Sequence, residues 1–206
     1  YFGVLTWTGN QTVRTIKESE SGVEGTSFTW TPDLIWIKSR VNPSSGHFHH
    51  LYDTVRGADA GAIYSNSNDA QDAFEDGFDD FVGGGFTTVN SGNYFLNSSN
   101  NSATYVGWCW KAGGEPSADN SASAGATPTA GSVKIDGANR GDAHPGTIKT
   151  VRGSVSTTAG FSIIKYSGTG SDTTLGTGQT IPTGTNALAM FRNIQGNDWH
   201  VGADIV

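Results

Sequence analysis

Apolar residues in this chain recur in short runs with a period of two, which is typical of β-strands. The clearest run covers residues 102–110 (SATYVGWCW), where every second residue is apolar or β-branched and bulky. Residues 34–38 (LIWIK) form a nearly continuous apolar run, as strands at the centre of a sheet do. We therefore predict central strands at both places, with Trp36, Trp108 and Trp110 in the core.

Other short runs lie between clusters of Gly, Ser, Thr and Asn, which favour turns. These runs predict further strands over residues 2–8, 12–16, 48–53, 86–89, 132–136 and 147–151. We expect the first two to pair as a hairpin, and we predict one short helix within residues 65–80. The pattern indicates an all-β protein with an antiparallel β-sandwich. A jelly roll and an immunoglobulin-like sandwich carry the same local signals, so the strand order stays open.

The two ends of the chain resemble each other in sequence. The matched pairs, in the same order in both halves, are YFGVLTWT with GFSIIKYS, PDLIWIKSR with NALAMFRNI, and HFHHLYD with NDWHVGAD. We interpret the chain as a β-sandwich unit over residues 1–111, a Gly/Ala/Ser/Thr-rich linker-like segment over 112–130, and part of a second unit over 131–206. Because no counterpart of residues 102–110 follows in the second unit, we expect the chain to be a fragment of a longer protein.

Composition narrows the classes of function. The 12 Lys and Arg residues are scattered and the net charge is −7, which argues against a nucleic-acid-binding protein. Cys109 is the only cysteine, so we expect a buried structural thiol, with neither an intrachain disulfide nor a cysteine-based zinc site. No apolar run approaches the ~20 residues that a membrane-spanning helix requires.

Two clusters contain residue types that bind metal ions. On one strand His47 and His49 share a face, and with Asp53 they present ligands for a transition metal. The acidic residues between 69 and 80 present carboxylates for calcium, but their spacing fits an EF-hand loop poorly. We interpret the histidines as surface or interstrand residues and the acidic stretch as a solvated loop, and we predict no bound metal and no cofactor.

The sequence offers no familiar catalytic arrangement. A glycosidase needs two carboxylates across the scissile bond, whereas the glutamates all fall in loop-like sequence: Glu18, Glu20, Glu24, Glu75 and Glu115. A Gly-x-Ser-x-Gly motif is missing, and residues 168–171 precede no predicted helix that would bind a phosphate. We therefore predict that the protein is not an enzyme and assign no catalytic residue.

Aromatic side chains are a more plausible means of binding a ligand, because their planar faces stack on sugar rings. The candidates are Trp7, Trp30, Trp36, Tyr52, Trp108, Trp110 and Trp199. Trp30 and Tyr52 lie near predicted loops, so we expect these two to be exposed and to provide any glycan contact.

Five phrases are distinctive in combination: TPDLIWIKSR, HHLYDTVRGA, TYVGWCWKAGG, GATPTAGSVKIDG and TTAGFSIIKYSGTG. Together they resemble a family of repeat-containing structural proteins of marine bacteriophages, whose repeat is described as a domain of unknown function. The resemblance covers most of the chain and implies a concanavalin-like or lectin-like sandwich. It also implies a location on the virion, and the family offers no catalytic residue to transfer.

We therefore expect a non-enzymatic virion structural protein, as part of a fibre, an appendage or a capsid decoration. Its expected partners are copies of itself and other virion proteins, with neither nucleic acid nor membrane bound. The alternative is a glycan-binding adhesion module on a phage fibre or a bacterial surface.

Overall fold

A computed structural model describes residues 1–41, 48–71, 77–89, 96–98, 103–142, 146–180 and 186–204. The protein belongs to the all-β class, as the sequence predicts. The strands of the first part are β1 (Phe2–Thr8), β2 (Arg14–Lys17), β3 (Val23–Gly25), β4 (Leu34–Val41), β5 (His50–Asp53), β6 (Ile63–Tyr64), β7 (Phe78–Val82), β8 (Gly85–Thr88) and β9 (Thr104–Trp110). Those of the second part are β10 (Val133–Ile135), β11 (Ala138–Asn139), β12 (Thr150–Ser156), β13 (Phe161–Tyr166), β14 (Ala187–Phe191) and β15 (His200–Asp204).

The largest sheet has six antiparallel strands in the order β3-β1-β9-β4-β5-β6. Strand β9 lies between β1 and β4, and β4 lies between β9 and β5. Both predicted central strands are therefore confirmed. A central position follows from their composition, since a strand that is bonded on both edges and packed on its faces needs apolar or β-branched residues.

A second sheet, with the order β2-β8-β7, packs against the first to form a β-sandwich. Aromatic contacts connect the two layers. Tyr52 stacks on Phe78 with ring centroids 4.3 Å apart, and Trp7 meets the edge of Phe86 at 5.5 Å. Trp7 also donates its indole N–H to the Leu96 carbonyl at 3.0 Å, so this buried polar group is satisfied.

The side of the six-stranded sheet that faces the core is not the one that the sequence predicts. Tyr105 and Cys109 are fully buried, with Gly107 between them on the inward face. The bulkier Trp108 and Trp110 point the other way and are half-buried, as is Trp36 of the neighbouring strand. The prediction that these three tryptophans form the core is wrong. Gly107 explains the choice, because a Cβ there would stand 3.3 Å from the Trp7 ring that fills the space.

The predicted hairpin of residues 2–8 and 12–16 is also wrong. β1 pairs with β3 and β9, whereas β2 pairs with β8 in the opposite sheet. The loop between β1 and β2 is held by the segment before β9 instead. The amides of Gly9 and Gln11 donate hydrogen bonds to the carbonyls of Ala103 and Asn97. Those bonds lead the chain across to the other layer, where Ile16 is fully buried in the core.

The second part forms a four-stranded sheet with the order β11-β10-β12-β13, and β14 and β15 form a separate antiparallel ribbon. The β10–β12 pair is parallel, which departs from the wholly antiparallel expectation. The short helix predicted over residues 65–80 does not form in residues 65–71, and β7 occupies the end of that stretch from Phe78 onward. Residues 72–76 lie outside the described part.

The carboxylate of Asp33, only 1% exposed, connects the two parts of the chain. One carboxylate oxygen accepts a hydrogen bond from the Thr54 hydroxyl at 2.9 Å. The other accepts from Lys111 Nζ at 3.1 Å and from the amides of Ala112 at 2.7 Å and Gly114 at 3.3 Å. Asp33 thereby fixes the path of the chain as it leaves β9.

Gly113 lies at the same junction and touches the second sheet. Its amide donates to Ser154 Oγ at 2.9 Å, and a Cβ at this position would stand 2.5 Å from the carbonyl oxygens of both Lys134 and Val155. Only glycine allows so close an approach of three backbone segments. The aromatic stack of Trp110 on Phe161, at 6.2 Å, lies on the same side.

Residues 112–130 lack regular strands but are hydrogen-bonded to their own chain. Asn120 donates from its backbone to Val151 and from its side chain to Thr150, both along β12. Lys149 Nζ donates to three carbonyls in the segment, the shortest bond being 2.6 Å to Ala124. This polar segment is therefore hydrogen-bonded to β12 and to the residue before it, within the same molecule.

We predict that Asp33→Ala lowers the free energy of unfolding by about 3–5 kcal/mol, because it removes a buried charge and leaves several donors unpaired. Urea denaturation measures the change. The control is Asp142→Ala, which removes an exposed partner of Arg140 and should cost no more than about 1 kcal/mol. Equal effects of the two substitutions would contradict the role of Asp33.

Candidate functional site

The two aromatic residues predicted to contact glycans have different environments. Tyr52 is 2% exposed and stacks within the core, so its predicted exposure is wrong. The reason is its position in β5, where it faces inward opposite Ile35. Trp30 is half-buried and stacks on Phe28 at 4.1 Å, which leaves it one free face at most.

The histidine cluster is part of the packing around β5. His49 accepts a hydrogen bond at Nδ1 from the Trp36 indole N–H at 2.9 Å. Burial lowers the pKa of His49 below its usual value, and the nearby charge of Lys38 lowers it further. His50 is 2% exposed, whereas His47 lies outside the described residues.

The remaining candidate residues from the sequence are the metal ligands, the acidic stretch and Cys109. Within the described ranges, no group of three or more His, Cys, Asp or Glu side chains is placed to hold a metal ion. Of the acidic stretch, Asp79 and Asp80 are exposed on β7, and Asp79 accepts a bond from Thr87 at 2.8 Å. Cys109 is buried, which raises the pKa of its thiol to about 12 and keeps it protonated.

One face of the β14–β15 ribbon carries exposed apolar side chains. Met190 and Val201 are directly opposite each other, and Leu188 lies two residues along the same strand, so all three share this face. Their exposed fractions are 43%, 62% and 69%. We call this set the ribbon face.

The connection between the ribbon strands is fixed to the first part of the chain. Trp199 donates its indole N–H to the Tyr64 carbonyl at 2.7 Å, and the guanidinium of Arg192 lies 5.6 Å from the Trp199 ring centre. The amide of Gln71 donates to the Ile194 carbonyl at 2.7 Å. The ribbon is thus anchored by contacts that leave its apolar face exposed.

A groove of about 570 Å³ opens on the other side of the ribbon. Phe191, whose side chain projects opposite to Met190, lines it together with Tyr166 at the end of β13. Both aromatic residues are 38% exposed. Ile148 and Leu175 add apolar surface, and the loop of residues 168–173 supplies the rest of the lining.

The loop that lines the groove is rich in polar groups. It contributes the side chains of Thr169, Ser171, Asp172 and Thr173. In the sequence, Tyr166 is followed by hydroxyls and a carboxylate in SGTGSDTT, but the Gly and Ser residues of this stretch predict only a turn. The approach of Phe191 is a tertiary contact that no local pattern encodes.

Comparison with known proteins identifies one family. The model of a family described as a domain of unknown function (DUF7483) matches residues 1–136. No curated protein and no solved structure matches the chain. The match covers the sandwich, the junction at Asp33 and the first strand of the second sheet. Among the described residues, no helix has the length and apolar character needed to span a membrane.

We predict that His49 makes stability depend on pH. Because the folded state lowers its pKa, the unfolded state binds the proton more readily, and stability is lost as the pH falls below the ordinary value of 6.5. His49→Gln retains an acceptor for Trp36 but does not titrate. Urea denaturation between about pH 8 and about pH 5 should show the wild type losing more stability than the variant. Parallel losses would refute the prediction.

Proposed function

We propose that this chain, which belongs to the family described as a domain of unknown function (DUF7483), is a non-enzymatic structural protein of a bacteriophage particle. Two lines support the proposal. The sequence resembles repeat-containing phage structural proteins over most of its length. The ribbon face offers an apolar surface for packing against other subunits, and this observation carries the proposal.

The physical argument concerns the ribbon face. A two-stranded ribbon is only marginally stable by itself, and contiguous exposed apolar side chains usually mark a protein contact. The exposed apolar side chains of the ribbon face, those of Leu188, Met190 and Val201, would be removed from water by such a contact. The proposed occupants are copies of the chain, and the proposed location is the virion surface, in a fibre, an appendage or a capsid decoration.

A second candidate function is glycan-binding adhesion. The groove between Tyr166 and Phe191 supports it, since exposed aromatic faces beside hydroxyls and a carboxylate are the groups that hold sugars. Adhesion and assembly are compatible in one particle, because the groove and the ribbon face lie on opposite sides of β14.

We predict that the protein self-associates in a concentration-dependent manner and that Leu188→Ser with Val201→Ser shifts it toward the monomer. Sedimentation velocity over a concentration series measures the shift. Val13→Ser is the matched control, because Val13 is 65% exposed and lies outside the ribbon face. A monomeric wild type, or an equal shift in the control, would contradict the assembly proposal.

We also predict that an antibody raised against residues 1–110 labels phage particles in electron micrographs. The label should lie on defined appendages or on the shell. Bare particles beside labelled cells or free filaments would refute the virion location and favour a cellular adhesin.

A further inference from the structure

We propose that the groove lined by Tyr166, Phe191 and Asp172 is a binding site for uncharged pyranose sugars, either hexoses or N-acetylhexosamines. The inference rests on the adhesion function given above as the second candidate, and it adds the residues and the class of ligand. The groove has a volume of about 570 Å³ and lies open to solvent, so a sugar would bind along the protein surface.

The aromatic pair supplies the apolar part of the site. Pyranose rings present a face of C–H groups, and these pack on the π-faces of aromatic side chains. Tyr166 and Phe191 end different strands, β13 and β14, so each is held by its own sheet. Their partial exposure leaves surface that a sugar ring can cover without displacing the core.

The loop supplies the polar part. Within the described residues, the side chains of Thr169, Ser171, Asp172 and Thr173 make no hydrogen bond to another protein group, so their capacity is available to a ligand. Hydroxyls both donate and accept, as sugar hydroxyls do. The Asp172 carboxylate has two acceptor oxygens and can take hydrogen bonds from two adjacent sugar hydroxyls.

Hydrogen bonds to the segment before β12 fix the C-terminal end of the loop. Thr174 O accepts from the amides of Thr147 and Ile148 at 2.8 and 3.0 Å, and Thr174 N donates to Thr147 Oγ1 at 2.9 Å. Leu175 bridges to Ile148 beside these bonds. Such anchoring reduces the conformational entropy that the loop loses when a ligand binds.

The charge of the groove selects the class of sugar. Asp172 is the only charged residue among the described residues that line it, and the chain as a whole carries a net charge of −7. Uronic acids, sialic acids and sulfated sugars bring a second negative charge close to this carboxylate, and like charges repel. The groove therefore favours uncharged sugars over acidic ones.

Calorimetric titration of the full chain tests the proposal, with maltotriose, cellotriose, mannotriose and tri-N-acetylchitotriose as uncharged probes and trigalacturonic acid as the acidic probe. At least one uncharged trisaccharide should bind with a millimolar or lower Kd, and the acid should bind at least about tenfold more weakly. Tyr166→Ala and Phe191→Ala should each raise the Kd at least about tenfold, and Asp172→Asn should raise it less.

Tyr1→Ala is the matched control, because Tyr1 is an aromatic residue with 59% exposure that does not line the groove. It should leave the Kd unchanged, and melting curves should show every variant folded. Tighter binding of trigalacturonic acid would overturn the sugar class but retain adhesion, whereas binding that survives both aromatic substitutions would overturn the site. If no trisaccharide binds, the site and the adhesion function both fail, while sedimentation still judges assembly independently.

Discussion

The buried carboxylate of Asp33 joins the β-sandwich to the segment that leads into the second sheet. It is almost fully buried immediately before β4, and its backbone amide donates a hydrogen bond to the carbonyl of Trp110, the last residue of β9. A buried carboxylate is tolerable only when hydrogen bonds replace its water, and here Thr54, Lys111 and the amides beyond Lys111 do so. These bonds direct the chain from the end of β9 toward the second sheet. Gly113 packs there against the backbone of that sheet.

The two exposed features of the second part follow from one geometric fact about β14. Successive side chains of a strand point to opposite sides, so Met190 belongs to the ribbon face and Phe191 to the groove. The apolar ribbon face and the aromatic lining of the groove are thus built from neighbouring residues on opposite sides of one strand. The contacts of Trp199 and Gln71 hold this ribbon against the first part of the chain, so both surfaces have a defined position.

The sequence is sufficient to predict the all-β class and the central positions of β4 and β9, because strand periodicity and apolar runs are local signals. It misleads about which face of β9 is buried, since the larger tryptophans suggest the core. Gly107 and Tyr105 instead accommodate Trp7 from the neighbouring strand. The same limit applies to the site. Tyr52 is predicted to be exposed near a loop but is packed by Phe78 from the other sheet. Tyr166 and Phe191 line one groove only because the tertiary fold places the ends of β13 and β14 there, which no local pattern shows.

Native-state hydrogen exchange at the junction tests most directly whether Asp33 joins the two parts into one cooperative fold. The amide protons of Ala112 and Gly113, which are bonded to Asp33 and Ser154, should exchange with about the same opening free energy as the amide of Cys109 in β9. The amide of Gly125, in the exposed part of the segment, should exchange fast and serves as the internal reference. If Ala112 and Gly113 exchange as fast as Gly125 while Cys109 stays protected, the junction opens independently and the central claim is wrong.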